Sequence, residues 1–239
     1  MARRPFLTAR WESLLLANYT CPAALLEPLV PAGTELDRWR GDAIVSVVGF
    51  MMRGTRVLGV PVPGHGTFEE VNLRFYVRRE APGGELRRAV VFVRELVPRR
   101  AIAAVARLVY NEPYLAVPMD HDIALSARTG GRVAYAWRHG GERFRLSTRV
   151  DGPAGPSAAG SEGEFITEHY WGYTRQRDGG TLEYRVEHPR WDVWGAEATL
   201  EGDATALYGP AFAEVVAAPP RSAFLAVGSE VAVYRGRRI

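Results

Sequence analysis

The sequence contains no lysine, so all 30 residues of the lysine-plus-arginine class are arginine. Without lysine, no side chain can form a Schiff base with a carbonyl substrate or anchor pyridoxal phosphate. A Walker-type phosphate loop is excluded for the same reason, because that loop needs a lysine. Covalent catalysis by a side-chain amine is therefore excluded for this protein.

Cysteine and long apolar runs are scarce as well. Cys21 is the single cysteine, which excludes an internal disulfide and a cysteine-based zinc or iron–sulfur site. We interpret Cys21 as a small buried apolar residue. The apolar run Leu14–Ala17 is too short for a signal-peptide core, and no run approaches the roughly 18–20 residues of a membrane span. We expect a soluble cytoplasmic protein without a membrane partner.

Several sequence motifs that are typical of particular enzyme classes are also missing. The chain has neither a Gly-x-Ser-x-Gly elbow nor a Gly-x-Gly-x-x-Gly fingerprint. The five histidines are scattered, and His188 is as consistent with a structural role as with a catalytic one. Met119–Asp122 (MDHD) clusters three candidate ligands, but no other segment completes a metal shell. We therefore expect neither a metal nor a cofactor.

A basic isoelectric point raises the question of nucleic-acid binding. The pI is about 9.2, and arginines alternate with aromatic residues in His169–Arg177 (HYWGYTRQR). Stacking beside a basic groove is how single strands are bound. The net charge is only +3, however, and acidic residues are interspersed with the arginines throughout. We expect no nucleic-acid partner.

Strand patterns dominate what the sequence does contain. Alternating or β-branched segments separated by glycine-rich turns predict strands. The predicted strands are Ala43–Met52, Thr55–Val60, Phe68–Arg79, Arg88–Leu96, Arg132–Arg138, Glu142–Val150, Thr181–His188 and Val231–Arg238. These segments predict an α+β fold dominated by β-structure, with a closed or partly closed barrel.

Helix patterns are fewer. Cys21–Pro31 predicts a helix that Pro28 makes short or broken, and Arg99–Tyr110 predicts the best helix. Ser161–Tyr170 predicts one or two further turns. Residues 151–163 (DGPAGPSAAGSEG) predict a flexible surface loop inside a single domain that spans residues 1–239.

Phe68–Arg79 (FEEVNLRFYVRR) is the most informative strand. Val71, Leu73, Phe75 and Val77 share one face, whereas Glu70, Asn72, Arg74 and Tyr76 share the other. The polar face has two interpretations, an ordinary solvated surface with cross-strand ion pairs or the wall of a polar cavity. Glu69 and Glu70 point to opposite sides, so they cannot form a paired-carboxylate site by themselves.

Several longer blocks resemble a known family. Segments such as PLVPAGTELDRWRGDAIVSVVGF, FEEVNLRFYVR and YTRQRDGGTLEYRVEHPRW resemble, in order, the YqjF-like family, domain of unknown function 2071. That family is grouped by fold with acetoacetate decarboxylase. The resemblance implies one domain built on a cone-shaped antiparallel or mixed β-barrel with a central cavity and a few peripheral helices. It also implies that the chain can form a homo-oligomer.

The resemblance can be carried over residue by residue. Tyr114 and Leu115 stand where the decarboxylase has two lysines, so a Schiff-base decarboxylase is excluded. Glu70 matches the cavity glutamate better than Glu69 does. Arg107, on the helix before Tyr114, presents a fork to a carboxylate if that helix caps the barrel; otherwise it covers the polar side of the helix.

Three hypotheses about function follow. In the first, a small organic acid or carbonyl compound binds in the barrel, with Glu70 as the proton-transfer group, Arg74 or Arg107 as the carboxylate anchor, Tyr114 as a hydrogen-bond donor and Asn72 beside them. In the second, the same cavity binds a small ligand without catalysis. In the third, the arginine-rich surface serves an interaction or assembly role.

Overall fold

Strands make up most of the chain in the computed structural model, which describes residues 4–109 and 111–239 but not the side chains of residues 105–109. In chain order the strands are β1 (Leu7–Cys21), β2 (Glu35–Leu36), β3 (Ala43–Val57), β4 (Val60–Pro61), β5 (Phe68–Glu80), β6 (Leu86–Val97), β7 (Tyr114–Ala116), β8 (Met119–Ser126), β9 (Gly130–His139), β10 (Glu142–Asp151), β11 (Gly155–Pro156), β12 (Trp171–Arg175), β13 (Thr181–Glu187), β14 (Asp192–Ala196), β15 (Ala198–Glu201), β16 (Ser222–Val233) and β17 (Arg237–Arg238).

The helices are short. They are α1 (Ala23–Leu26), α2 (Arg100–Val109), α3 (Glu162–Thr167), α4 (Thr205–Tyr208) and α5 (Pro210–Ala217). A 3₁₀ turn, Glu27–Leu29, continues α1, and Pro28 inside it explains why the predicted helix is broken there. Among the residues that the structure describes, no helix is both long and apolar enough to cross a membrane.

The larger sheet forms a partly closed ring. Its strands follow the order β16, β1, β3, β5, β6, β12 and β13, and β13 pairs again with β16. Two junctions are short: β6 meets β12 in parallel only at Ala89–Trp171 and Val90–Gly172, and β13 meets β16 at two residue pairs. The predicted β-dominant α+β fold with mixed strands is confirmed at this level.

A second, antiparallel sheet covers the outside of the ring. It has the order β15, β10, β9, β8, and its Tyr135 and Trp137 share a core with Val71, Leu73 and Phe75 of β5. The opposite face of the ring strands has a separate core that includes Phe50, Tyr76 and Trp191. Period-two alternation in the long strands therefore divides their side chains between an outer and an inner face.

Close packing between the two sheets depends on a bulge in β1. Ser13 has φ of 55° there, and its carbonyl oxygen accepts a 2.8 Å hydrogen bond from the Tyr135 hydroxyl. A Cβ on Gly49 would lie 2.5 Å from the Tyr135 ring. The outer face of β3 therefore has room for the tyrosine only because position 49 is glycine.

The segment predicted as a flexible loop, residues 151–163, has two anchors. Gly155 and Pro156 pair with Val193 and Asp192 of β14, and the side chain of Ser161 accepts a hydrogen bond from Glu164 at the start of α3. Six of its thirteen residues are exposed, and only Gly163 is buried. Its flexibility, and the assignment of residues 1–239 to one domain, stay predictions.

Candidate functional site in the ring

The polar face of β5 points into the ring. Glu70 and Asn72 are only 4% and 2% exposed, and Glu70 and Arg74 act electrostatically on Tyr184 and His188, respectively, across the ring. β13 is separated from β5 by two strands in the ring order, so electrostatic interactions across the ring indicate that these side chains point inward. The polar face of β5 is a buried wall rather than a solvated surface.

Glu69 has a different environment. It lies on the outer face, where its carboxylate is 2.5 Å from His121 Nδ1 of β8 in the second sheet. The alternation of β5 therefore separates the two neighbouring glutamates as expected, and Glu70 is the one that faces the interior.

Three buried carboxyl groups meet in the ring. Glu70 comes from β5, Glu95 from β6 directly opposite Asn72, and Glu112 from the segment before β7. Asn72 Nδ2 donates to Glu70 Oε1 at 3.3 Å, and the Tyr114 hydroxyl donates to Glu70 Oε2 at 3.4 Å. We name Glu70, Glu95, Glu112 and Tyr114 the acid cluster.

Glu112 connects the acid cluster to the far side of the ring. Its Oε1 accepts hydrogen bonds from the Thr174 hydroxyl of β12 and, at 3.1 Å, from the Tyr184 hydroxyl of β13. Glu95 lies beside both Glu112 and Tyr114, within hydrogen-bonding reach. The four members of the cluster are thus neighbours, and Glu95 Oε2 is buried without a hydrogen-bond partner among the described residues.

Burial dominates the proton affinities in the cluster. It raises the pKa of Glu70 to about 7; Asn72, Tyr114 and Arg74 oppose this rise, and the charge of Glu112 adds to it. Burial likewise raises the pKa of Glu112 to about 7 and holds that of Glu95 well above its usual range. Because like charges this close disfavour joint ionisation, the cluster retains protons near neutral pH.

Arg74 supplies positive charge on the same face. Its Nε atom is buried and has no hydrogen-bond partner in the part of the chain that the structure describes. Its guanidinium group lies 5.6 Å from the centre of the Tyr76 ring. A half-buried arginine with an unused donor at Nε suits a ligand carboxylate, because arginine matches that group geometrically.

Tyr76 is held firmly beneath Arg74. Its hydroxyl is 2.6 Å from Ser46 Oγ, which also donates to Asn18 Oδ1 at 2.6 Å. The Tyr76 ring lies 4.6 Å from the ring of His169, measured between centres. Burial lowers the pKa of His169 to about 4, so its imidazole is neutral at physiological pH, with Nε2 3.6 Å from Asp37 Oδ2.

The chain can be placed among known proteins by its sequence. The DUF2071 family, described as an uncharacterized conserved protein, matches residues 8–230. The chain belongs to this family. Its relative Uncharacterized protein YqjF of Bacillus subtilis (strain 168) is 28% identical over 195 residues, which are 80% of this chain and 76% of that protein. The predicted family membership is confirmed.

Solved structures with the same fold are acetoacetate decarboxylase-like. Acetoacetate decarboxylase from Legionella pneumophila has a TM-score of 0.70 at 13% identity, covering 98% of this chain and 87% of its own. The enduracididine biosynthesis enzyme MppR, complexed with pyruvate, has a TM-score of 0.67 at 14% identity, covering 100% and 91%. At such low identities these likenesses show the fold alone.

The family resemblance also predicted roles for Tyr114 and Arg107 in this DUF2071 chain. Tyr114 packs with the inner core and Leu115 with the outer one, so only Tyr114 reaches the acid cluster. Arg107 lies on α2, but its side chain is outside the described residues, so its role as a carboxylate anchor stays a prediction. Ala103 of the same helix packs in the inner core.

Glu95 and Glu112 were not among the residues that the sequence singled out. The pairing of β5 with β6 shifts register between Leu73 and Arg74, so simple alternation along β6 does not predict the face of Glu95. Glu112 lies outside any strand, where no periodicity applies. Its one signal is that it lies two residues before Tyr114 in NEPYLA.

The MDHD segment, Met119–Asp122, forms the start of β8. Asp122 pairs with Arg132 at 3.0 Å, and His121 faces Glu69. Across the described ranges, no group of three His, Cys, Asp or Glu side chains is arranged to hold a metal ion. His188 stacks on Trp191 with 4.0 Å between ring centres.

Proposed function

We propose that the ring interior binds a small organic acid or carbonyl compound and that Glu70 exchanges a proton with it. The observation that carries this proposal is the position of Glu70, buried at 4% exposure between Asn72 and Tyr114 on the strand that also presents Arg74. A site that only binds a charged molecule, without catalysis, does not require three buried carboxyl groups.

Each residue has a role that follows from its chemistry. Arg74 binds the carboxylate of the ligand through its guanidinium group, whose Nε donor is unused. Glu70, with a pKa of about 7, is present in both protonation states near neutral pH, so it can remove a proton from the carbon beside a carbonyl and return it. Burial keeps Tyr114 protonated, because its pKa lies well above the usual range. Its one O–H donates to ionised Glu70 and can donate to the developing enolate oxygen once Glu70 has taken up the substrate proton.

The solved structures with the same fold support only the proposed class of ligand. One protein with this fold is complexed with pyruvate, a small oxo acid that has both a carboxylate and a carbonyl group. The chain has no lysine, so we infer proton-transfer or lyase-like chemistry without a covalent amine intermediate. We further infer a single cytoplasmic domain that can form a homo-oligomer and uses neither a cofactor nor nucleic acid.

Exchange of the pyruvate methyl protons in D₂O, followed by proton NMR, tests the proposal. We expect the wild-type protein to accelerate the exchange over buffer, and Glu70→Gln to abolish the acceleration. Arg74→Gln should raise the pyruvate concentration needed for half-maximal exchange. Glu69→Gln is the matched control, because it removes a neighbouring charge that lies outside the ring. Equal exchange with wild type and Glu70→Gln would refute the role of Glu70.

The other two hypotheses differ from this one in what they require. A non-catalytic binding module needs Arg74 but not Glu70, so it predicts pyruvate binding without proton exchange. An assembly role needs arginines free at the surface, whereas three of them, Arg79, Arg87 and Arg237, converge on the fully buried carboxylate of Glu183. That use of arginine favours the small-molecule hypotheses.

A further inference from the structure

The ring has a gap where β6 leaves β12. The two strands pair only at Ala89–Trp171 and Val90–Gly172, and beyond that point a cavity of about 220 Å³ lies between them. We name it the seam cavity. It is lined by Val91, Phe92 and Val93 of β6, Tyr173, Thr174 and Arg175 of β12, and Pro28, Leu29, Asn111, Glu112 and Pro113.

The seam cavity joins the surface to the acid cluster. Pro28, Leu29 and Arg175 at its rim are exposed, and Arg175 spans the rim to the Pro28 carbonyl oxygen at 3.3 Å. At its inner end lies Glu112, which is only 7% exposed. The volume exceeds that of several water molecules, since one occupies about 30 Å³ in the liquid. Glu112 therefore forms part of the wall between solvent in the seam cavity and the acid cluster.

From Glu112 a line of proton-carrying groups leads to Glu70. Glu95, opposite Asn72 on the neighbouring strand, adjoins both Glu112 and Tyr114. Its buried Oε2 atom has no hydrogen-bond partner among the described residues, so it is available to accept a proton. Tyr114 in turn donates to Glu70 at 3.4 Å. A carboxyl group and a phenol can each accept one proton and donate another, unlike an amide such as Asn72.

We propose that Glu112, Glu95 and Tyr114 form a relay that carries protons between solvent in the seam cavity and Glu70. The proposal rests on the proposed function, because it explains how Glu70 regains its protonation state while a ligand fills the ring. It assigns Glu112 and Glu95 as positioning and relay residues that do not touch the ligand.

The transfer balances without any redox step. A hydronium ion in the seam cavity gives a proton to Glu112 and remains as water, and Glu112 passes a proton to Glu95. Tyr114 accepts a proton from Glu95 as it gives its own to Glu70, so each O–H bond that breaks is replaced by one that forms. Glu70 and Glu112 have similar proton affinities, near pKa 7, so the two ends of the relay are closely matched. Tyr114 never needs to ionise.

Infrared spectroscopy tests the relay without any ligand. At pH 6 exposed carboxyl groups are ionised, so the C=O stretch of protonated carboxyl groups reports the buried ones. After mixing into D₂O this band shifts as deuterium replaces hydrogen. The component lost in Glu95→Gln belongs to Glu95, and the component lost in Glu70→Gln belongs to Glu70. We expect Glu112→Gln to slow the shift by about tenfold or more, because an amide cannot pass the proton on.

Two further variants keep the test decisive if Glu112→Gln folds poorly. Tyr114→Phe should leave exchange at Glu95 fast but slow it at Glu70, and Val93→Phe should slow both by filling the seam cavity. Glu69→Gln should exchange like the wild type. Equal rates in the wild type, Glu112→Gln and Tyr114→Phe would overturn the relay. Pyruvate exchange that Glu112→Gln leaves unchanged would also overturn it while the proposed function stands.

Discussion

Replacing Glu70 by glutamine should make the protein more stable in alkaline solution. The pKa of Glu70 rises from 4.5 to about 7 on folding, so the folded state binds its proton more tightly than the unfolded state does. The stability that this proton contributes is fully present below pH 4.5 and is lost as the pH rises through 7. Each tenfold change in proton affinity corresponds to about 1.4 kcal/mol, so ionised Glu70 costs the folded state about 3 kcal/mol at pH 8.

Glutamine has nearly the same shape and can still accept a hydrogen bond from Asn72, but it has no charge to bury. We expect Glu70→Gln to raise the free energy of unfolding by up to about 3 kcal/mol at pH 8 and to change it little at pH 4.5. Urea denaturation at the two pH values measures the difference. Glu69→Gln should shift stability by no more than about 1 kcal/mol at either pH. If Glu70→Gln changed the free energy of unfolding equally at both pH values, the claim that burial raises the pKa of Glu70 would be refuted.

Three other expectations follow from the same structure. Because burial lowers the pKa of His169 to about 4, His169→Gln should gain up to about 3 kcal/mol over the wild type as pH falls from 6.5 to 4, measured by urea denaturation. Gly49→Ala should destabilise the protein by about 1–3 kcal/mol through its 2.5 Å approach to Tyr135, whereas Gly195→Ala, which meets no atom within 4 Å, should not. Burial raises the pKa of Cys21 to about 11, so at pH 8 its reaction with a disulfide reagent should be about a hundredfold slower in the folded protein than in urea.

The local sequence pattern predicted those strands, helix breaks and turns that depend mainly on residues close together in the chain. β5 alternates as far as Val77 because its apolar face packs in the outer core and its polar face points into the ring. That alternation alone placed Glu70 and Glu69 on opposite sides. Pro28 broke the first helix where the sequence predicted a break. The hairpin between β5 and β6 follows from the glycine pair at its turn.

Other parts depend on contacts that are distant in sequence. β1 has buried side chains on both faces and a bulge at Ser13, so its pattern resembles neither a helix nor an amphipathic strand. β16 begins at Ser222, earlier than the predicted closing strand, and α5, Pro210–Ala217, gave no recognised signal. Glu112 enters the site because Thr174 of β12 and Tyr184 of β13 supply its hydrogen-bond donors, and only the partly closed ring brings these strands to it.

The central claim is that Arg74 and Glu70 form a ligand site inside the ring. A crystal structure of the protein soaked with pyruvate tests this most directly. The account predicts pyruvate in the ring interior, with its carboxylate within hydrogen-bonding distance of the Arg74 guanidinium and its methyl carbon facing Glu70. Pyruvate bound only outside the ring, with Arg74 and Glu70 untouched, would contradict it.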